Sequence, residues 1–434
     1  MSIFMAVIVF SVLVFIHEFG HFIIAKKNGV RVIEFSIGFG PKLFSFVKGE
    51  TRYSIKIIPF GGACMMQNKE MVSEEDLKEL DQSKSFESKS VWARMAITLA
   101  GPIFNFVLAF VLAIVVIGAV GYDKPEVMYV EEGSAAYEAG LRTGDVITEY
   151  NGTSVSISRQ MILQDFIHPI TDEDVLIKYE RDGKEYEATI KPQYYEKYVI
   201  GFTYKPTEKD AVIEEISKDG PLEAAGGKAG DIVKSINGHE IESSSEMAEY
   251  LTNNPLSSEQ VDLVILRDGK EIEMKINPVI GSAGYKLGFA YNQARVETDA
   301  IGVLKYSCIE VGYQISSVYK SLGMLFTGQV TVKDFSGPVG IVDYVDTVYE
   351  ESKDEGALIV FLSIANLTML LSANLGVMNL LPIPGLDGGR FLFQIIEAII
   401  GKPVKHEEYI HLVGMILIMI FAVFVLFQDI FKLF

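Results

Sequence analysis

The sequence predicts a polytopic α-helical membrane protein of four spans, interrupted by a β-rich insert built of two similar modules. Three observations carry this. The 434 residues combine a net charge of −19 with a mean hydropathy of +0.26 and 49% hydrophobic residues. The two properties are segregated along the chain: residues 122–300 hold 34 acids against 18 bases, and the remainder is nearly neutral and very apolar. Four stretches reach the roughly 20 apolar residues a bilayer crossing requires. An acidic chain with no basic face is no nucleic-acid binder.

The first span, Ile3–Ala25, is apolar from its start, with neither a basic n-region nor a small-residue cleavage site, and reads as a retained helix rather than a signal peptide. The others are Ala93–Val120, Ala357–Leu381 and Ile410–Phe427. Residues 301–330 are apolar in patches but broken by Lys305, Glu310 and Lys320, which fits an amphipathic or surface helix. Basic residues set orientation. Residues 26–94, between the first two spans, carry 12 bases and 9 acids, and Arg390, Lys402 and Lys405 lie between the last two. Both basic loops are therefore expected in the cytoplasm and the acidic insert outside it. Cys64 and Cys308 stand alone, without a CxxC neighbour, so the chain offers no thiol metal site; each reads as an unpaired apolar filler.

The insert repeats itself at an offset of 86 residues. Gly144-Asp145 matches Gly230-Asp231, Asn151-Gly152 matches Asn237-Gly238, Arg181–Glu185 matches Arg267–Glu271, and Pro192 matches Pro278. β-branched runs alternate with Gly, Asp and Asn turns, the pattern of small β-rich modules. Each unit resembles a PDZ domain of the bacterial protease type through Gly133–Ile147 and its counterpart, Gly220–Val233. Each also ends in a Gly-Phe strand, at Gly201 and Gly288, where that family cradles a carboxylate, as in a circularly permuted PDZ domain. The resemblance implies strand addition of a peptide there; hairpins without a ligand are the alternative.

The chemistry-bearing motif is His17-Glu18-Phe19-Gly20-His21, inside the first span. Positions i and i+4 of a helix share a face, so both imidazoles can chelate one Zn²⁺ with Glu18 beside it as a base. Ionisable groups in so apolar a setting mark function. An open catalytic zinc needs a third protein ligand. Asp387 suits, in Asn379-Leu380-Leu381-Pro382-Ile383-Pro384-Gly385-Leu386-Asp387-Gly388-Gly389, where the prolines end the third span and the glycines allow a tight turn. His168 and His239 fall in the insert, and His406 and His411 flank the fourth span at the interface.

HExxH in the first span, NxxPxPxLDG at the end of the third and a PDZ-bearing insert together resemble the bacterial site-2 protease family, RseP type. Gly101-Pro102-Ile103-Phe104-Asn105, Phe35–Leu43 and Ser336–Ile341 match it too. The likeness covers nearly the whole chain. It implies one zinc per chain held by His17, His21 and Asp387, Glu18 as catalytic base, and Asn374 and Asn379 holding substrate backbone, with structural glue the competing role for Asn374. It implies a cytoplasmic-side re-entrant β-loop over residues 30–66, whose strand 51–62, with Ile55 and Ile57, presents an unpaired edge to unwound substrate; an ordinary cytoplasmic hairpin is the competitor. Ala63-Cys64-Met65-Met66 departs from the family's usual Tyr and Lys.

The expected architecture is a membrane half at 1–121, two extracytoplasmic PDZ-like domains at 122–205 and 206–295, an amphipathic linker at 296–356 and a second membrane half at 357–434. The expected activity is hydrolysis of peptide bonds within single-pass membrane proteins or signal-peptide remnants in the bacterial cytoplasmic membrane. The partners implied are membrane lipid and an upstream site-1 protease; the PDZ-like pair serves as a size filter or as a reader of new chain ends. A non-catalytic membrane scaffold with a structural metal is the rival reading, and it would want four protein ligands where only three are found at consistent depth.

Overall fold

The computed structural model describes residues 2–67, 81–207, 209–292, 294–331 and 337–432, so Ser336 of the last matching motif lies outside it. The chain divides into two compact units, residues 1–124 with 293–434, and Pro125–Asn292.

In the first unit, α1 (Ser2–Lys27) is followed by strands β1 (Val32–Lys48) and β2 (Thr51–Met66), then by α2 (Val91–Val120). After the insert come α3 (Ala300–Thr327), α4 (Pro338–Ser352), α5 (Ala357–Leu380), α6 (Asp387–Ile400) and α7 (Glu407–Lys432). Helices α1, α2, α5 and α7 are long and apolar enough to cross a membrane, as expected, with ends shifted by a few residues. α2 packs along α1 and α5. Gly20 makes the first approach close: a Cβ there would lie 2.8 Å from the Ala100 carbonyl carbon. The expected linker is two helices. α3 lies against α2 and α5, burying Ser307, Glu310 and Gln314 on that side while Ile301 and Phe326 stay exposed.

β1 and β2 fold back on themselves, so that four segments lie side by side. Segment 52–55 pairs with 34–37 on one side and 44–47 on the other; 34–37 pairs in turn with 62–65. Strand 51–62 is therefore not an unpaired edge at Ile55, which is bonded to both Ile37 and Phe44. The outer edge is Gly62–Met66 instead. The alternation that marks 51–58 as a strand cannot say which neighbours it finds. Phe39, Leu43, Phe44, Phe46, Ile55, Ile57 and Ile58 are all exposed on this sheet.

The insert holds two β-rich modules with separate cores. One core gathers Val127, Leu141, Ile147, Ile177, Ile190 and Leu287. The other gathers Ile200, Ile213, Leu222, Val233, Leu263 and Ile276. The Gly-Phe strands are exchanged relative to the expected boundaries. Phe202–Thr203 pairs with Glu215–Ile216 in the second module, whereas Phe289–Tyr291 pairs with Val127–Val130 in the first. The second module is thus inserted within the first, between Ile190 and Leu287, and the division at 205/206 does not hold. A fixed repeat offset reports similarity, not which end of a module a strand closes. The Asp-Gly turns expected of the hairpins are present, with Asp182 at φ 51° and Asp268 at φ 52°.

Candidate metal centre

Helix periodicity brings His17 and His21 together, with Nε2 atoms 3.3 Å apart. The chain stops α5 at Leu380, turns through Pro382–Gly385 and begins α6 at Asp387, so the carboxylate enters on a first helical turn. Gly388 and Gly389 permit this: a Cβ on Gly388 would lie 2.4 Å from the Leu380 carbonyl carbon, and one on Gly389 2.8 Å from that of Ile383. Asp387 Oδ2 stands 3.1 Å from His17 Nε2 and 3.3 Å from His21 Nε2. Among the described residues these three form the one group of metal-binding character, and both histidines are buried.

Hydrogen bonding decides what the cluster presents. His21 Nδ1 lies 2.8 Å from the Ile97 carbonyl and must donate to it, which leaves Nε2 as a lone pair. Pro102 has no N–H, so the carbonyl deprived of its ladder bond is that of Thr98, next to Ile97. His17 Nδ1 lies 3.2 Å from the Asn105 amide, whose Oδ1 is buried with no partner as drawn. Turning that amide lets Oδ1 accept from Nδ1–H, satisfies the orphan and makes His17 Nε2 a lone pair as well. Asp387 Oδ2 is likewise buried without a donor. With both imidazoles neutral in these tautomers, three acceptors face one another. Their spacing matches the edge of a tetrahedron about 2.0–2.1 Å from its centre, the distance of Zn²⁺ from His and Asp ligands. These residues fit a zinc ion.

α2 closes the back of the cluster, and a Cβ on Gly101 would fall 2.7 Å from His17 Cε1. Glu18 Oε2 accepts the Cys64 N–H at 2.8 Å, tying the candidate base to the outer edge of the sheet. A cavity of about 620 Å³ opens between them, lined by His17, Glu18, His21, Gly62–Met66, Asn379, Asp387 and Arg390. The Gly385 N–H donates to His411 Nδ1 at 3.0 Å, so His411, expected only at an interface, steadies the turn before Asp387.

Of the residues the sequence singled out, His17, Glu18, His21, Asp387 and Asn379 meet at this cavity. Asn374 does not line it, and its Oδ1 is buried without a partner. Ile55 and Ile57 are exposed and do not line it either; Gly62–Met66 does. Gly288 borders a groove on the first module, and Gly201 packs against Ser217 and Pro221. Gly101 and Asn105 entered the sequence reading only as part of a family match and His411 only as interfacial, so their roles at this site were missed. Gly101 and Asn105 had a signal, a small residue and an amide four apart in an apolar span.

The model of peptidase family M50 matches residues 5–421. The zinc metalloprotease RasP of Geobacillus kaustophilus is 31% identical over 451 residues, covering 100% of this chain and 98% of that one. The regulator of sigma-W protease RasP of Bacillus subtilis is 29% identical, covering 99% and 98%. A putative zinc metalloprotease of Vibrio cholerae is 31% identical, covering 98% and 97%. Among solved structures, the PDZ domain of HtrA3 bound to a phage-derived ligand is 22% identical over 21% of this chain, with a TM-score of 0.18.

Proposed function

Because the chain belongs to peptidase family M50 and is an intramembrane zinc metalloprotease, we propose that His17, His21 and Asp387 hold one zinc and that Glu18 is its base. The observation that carries this is the trio of mutually facing acceptors, closed off behind by Gly101 and open in front to a cavity. Zinc in such a site polarises a carbonyl and lowers the pKa of water to about 7.

The chain's own residues do the rest. Glu18 takes the proton of the attacking water and delivers it to the leaving amine. An unwound substrate strand adds to the outer edge Gly62–Met66, within reach of Glu18, because a transmembrane helix hides its carbonyls in its own hydrogen bonds. Asn379 donates to the substrate backbone across the cavity. The exposed Phe39, Leu43, Phe44, Phe46 and Ile58 suit a sheet dipped into lipid, which is the re-entrant loop reading. The Gly288 strand serves as a peptide edge of a PDZ-like module facing the extracytoplasmic side, with the zinc site near the cytoplasmic face of the bacterial inner membrane. Substrates are single-pass proteins, anti-sigma factors among them, shortened beforehand by a site-1 protease.

The test is Glu18→Gln in purified protein with a model transmembrane substrate. One zinc per chain with cleavage reduced on the order of 10³-fold is expected. Cleavage at the wild-type rate overturns the assignment of the base.

A further inference from the structure

The two modules of the insert serve as controls for each other. At the repeat offset Met161 corresponds to Met247, and both are wholly buried. Four residues further on, Asp165 stands where the second module has Leu251, and Tyr150 stands where it has Ile236. In the second module Ile236 belongs to the core and Leu251 packs against it. In the first, Tyr150 is 3% exposed and donates to Asp165 Oδ1 at 2.7 Å. The fold thus packs with an apolar pair at these positions. A carboxylate there costs desolvation and is not required by the architecture.

Asp165 lines a groove of about 380 Å³ with Tyr129, Tyr195, Tyr285 and Tyr291. One wall is the strand Phe289–Tyr291, which among the described residues pairs only with Val127–Val130, leaving its other edge open. Lys286 is the one cationic residue lining the groove, and it pairs with Glu131 at 2.7 Å. Burial holds the Asp165 carboxyl above the usual carboxylate range in spite of the Tyr150 bond. Burial, then the nearby Asp165, pushes the Tyr291 hydroxyl up to about 12. Both shifts are those of half-buried acids with no cation among their causes.

We propose that this groove binds an extended peptide that adds a strand to Phe289–Tyr291 and seats a Lys or Arg side chain against Asp165, between tyrosine rings. The aliphatic stem lies along the rings, the cationic head meets the carboxylate, and the ring faces add cation–π attraction. The second module, with Leu251 and Ile236, has no such selectivity. The inference rests on the proposed reading of the Gly288 strand as a peptide edge.

The test is fluorescence anisotropy on full-length protein in detergent, with labelled decapeptides that differ only in carrying Lys, Leu or Glu at one position. The Lys peptide is expected to bind about tenfold more tightly than the Leu peptide. Asp165→Leu, which installs the second module's own residue, should bring the two within about twofold, and the near-isosteric Asp165→Asn should weaken Lys binding alone. Each peptide is run as free acid and as amide. A Lys preference in either form supports the proposal, and its loss on amidation identifies a chain end rather than an internal segment as the source. Equal binding of Lys and Leu peptides by the wild type, or a Lys preference surviving in both variants, overturns the charge selection. Binding of no peptide overturns the peptide edge as well, and leaves the zinc site to be judged on cleavage of the model span.

Discussion

Carboxylates with buried oxygens occur in both units, and their surroundings differ in kind. In the insert, Asp145 takes two bonds from Arg181, at 2.6 and 2.7 Å, and a third from the Arg142 N–H at 2.7 Å. Asp231 repeats this with Arg267 and the Lys228 N–H. In the membrane unit, Asp387 Oδ2 meets two imidazole nitrogens and no donor. A carboxylate saturated by its own arginine is architecture, because its charge is already balanced and its lone pairs are filled. A carboxylate facing only acceptors is incomplete without a cation. Asp387 is also the more exposed, at 19% against 1% for Asp145 and 2% for Asp231, but it is the donor count that says which carboxylate lacks a partner.

Removing each acid is the strongest way to break that contrast. Asp387→Ala should abolish stoichiometric zinc, read by atomic absorption, and lower cleavage of a model span on the order of 10³-fold, with the melting of the insert unchanged. Asp231→Ala should do the reverse, keeping zinc while lowering the melting midpoint of the insert by roughly 5 °C, since it strands Arg267. Zinc retained by Asp387→Ala would erase the distinction.

Two substitutions that keep all three ligands sharpen it. Gly101→Ala puts a methyl against His17 and His21, so zinc affinity measured by chelator competition should fall on the order of 100-fold. Asn105→Ala removes only the partner of His17 Nδ1, and about tenfold is expected. Asn105→Asp, which still accepts from Nδ1–H, should restore binding. If Ala and Asp behave alike, Asn105 fills space and does not orient the ring.

How far each part was legible follows from the range of its determinants. HExxH was readable because helix geometry fixes where residues four apart point, and the LDG turn because Pro and Gly act locally. Gly101 and Asn105 could be quoted as a match, yet their work depends on which face of α2 meets α1, which no local rule supplies. The edge beside Glu18 was expected at Ile55 and Ile57 and lies at Gly62–Met66, since alternation finds strands and not their neighbours. Gly288 was expected to close the second module and closes the first. That error had a specific cause: nesting preserves the offset of 86 while changing the partner of every terminal strand. That Tyr150 and Asp165 replace Ile236 and Leu251 is readable at the offset of 86, but that the two side chains bond is not, because the strand and the helix that carry them must first be packed together.

The smallest effect concerns pH and isolates the electrostatic part of the insert's architecture. Burial acts to raise the Asp231 carboxyl, but the Arg267 bonds and the Lys228 N–H outweigh it and hold the group below its ordinary value. Unfolded, Asp titrates near pH 3.9, so below that pH and above the folded value the unfolded chain binds more protons. The stability Asp231 contributes is therefore complete above about pH 4 and is lost as pH falls through its folded value. Asp231→Asn carries no titrating group at this position, so the gap in melting midpoint between wild type and variant should be constant from pH 7 to 5 and close towards pH 3. The other acids of the insert titrate in both proteins and cancel in that difference. A gap that stays constant down to pH 3 would mean that Asp231 holds the module by shape and neutral hydrogen bonding, and that the buried acids of the two units differ less than their donor counts imply.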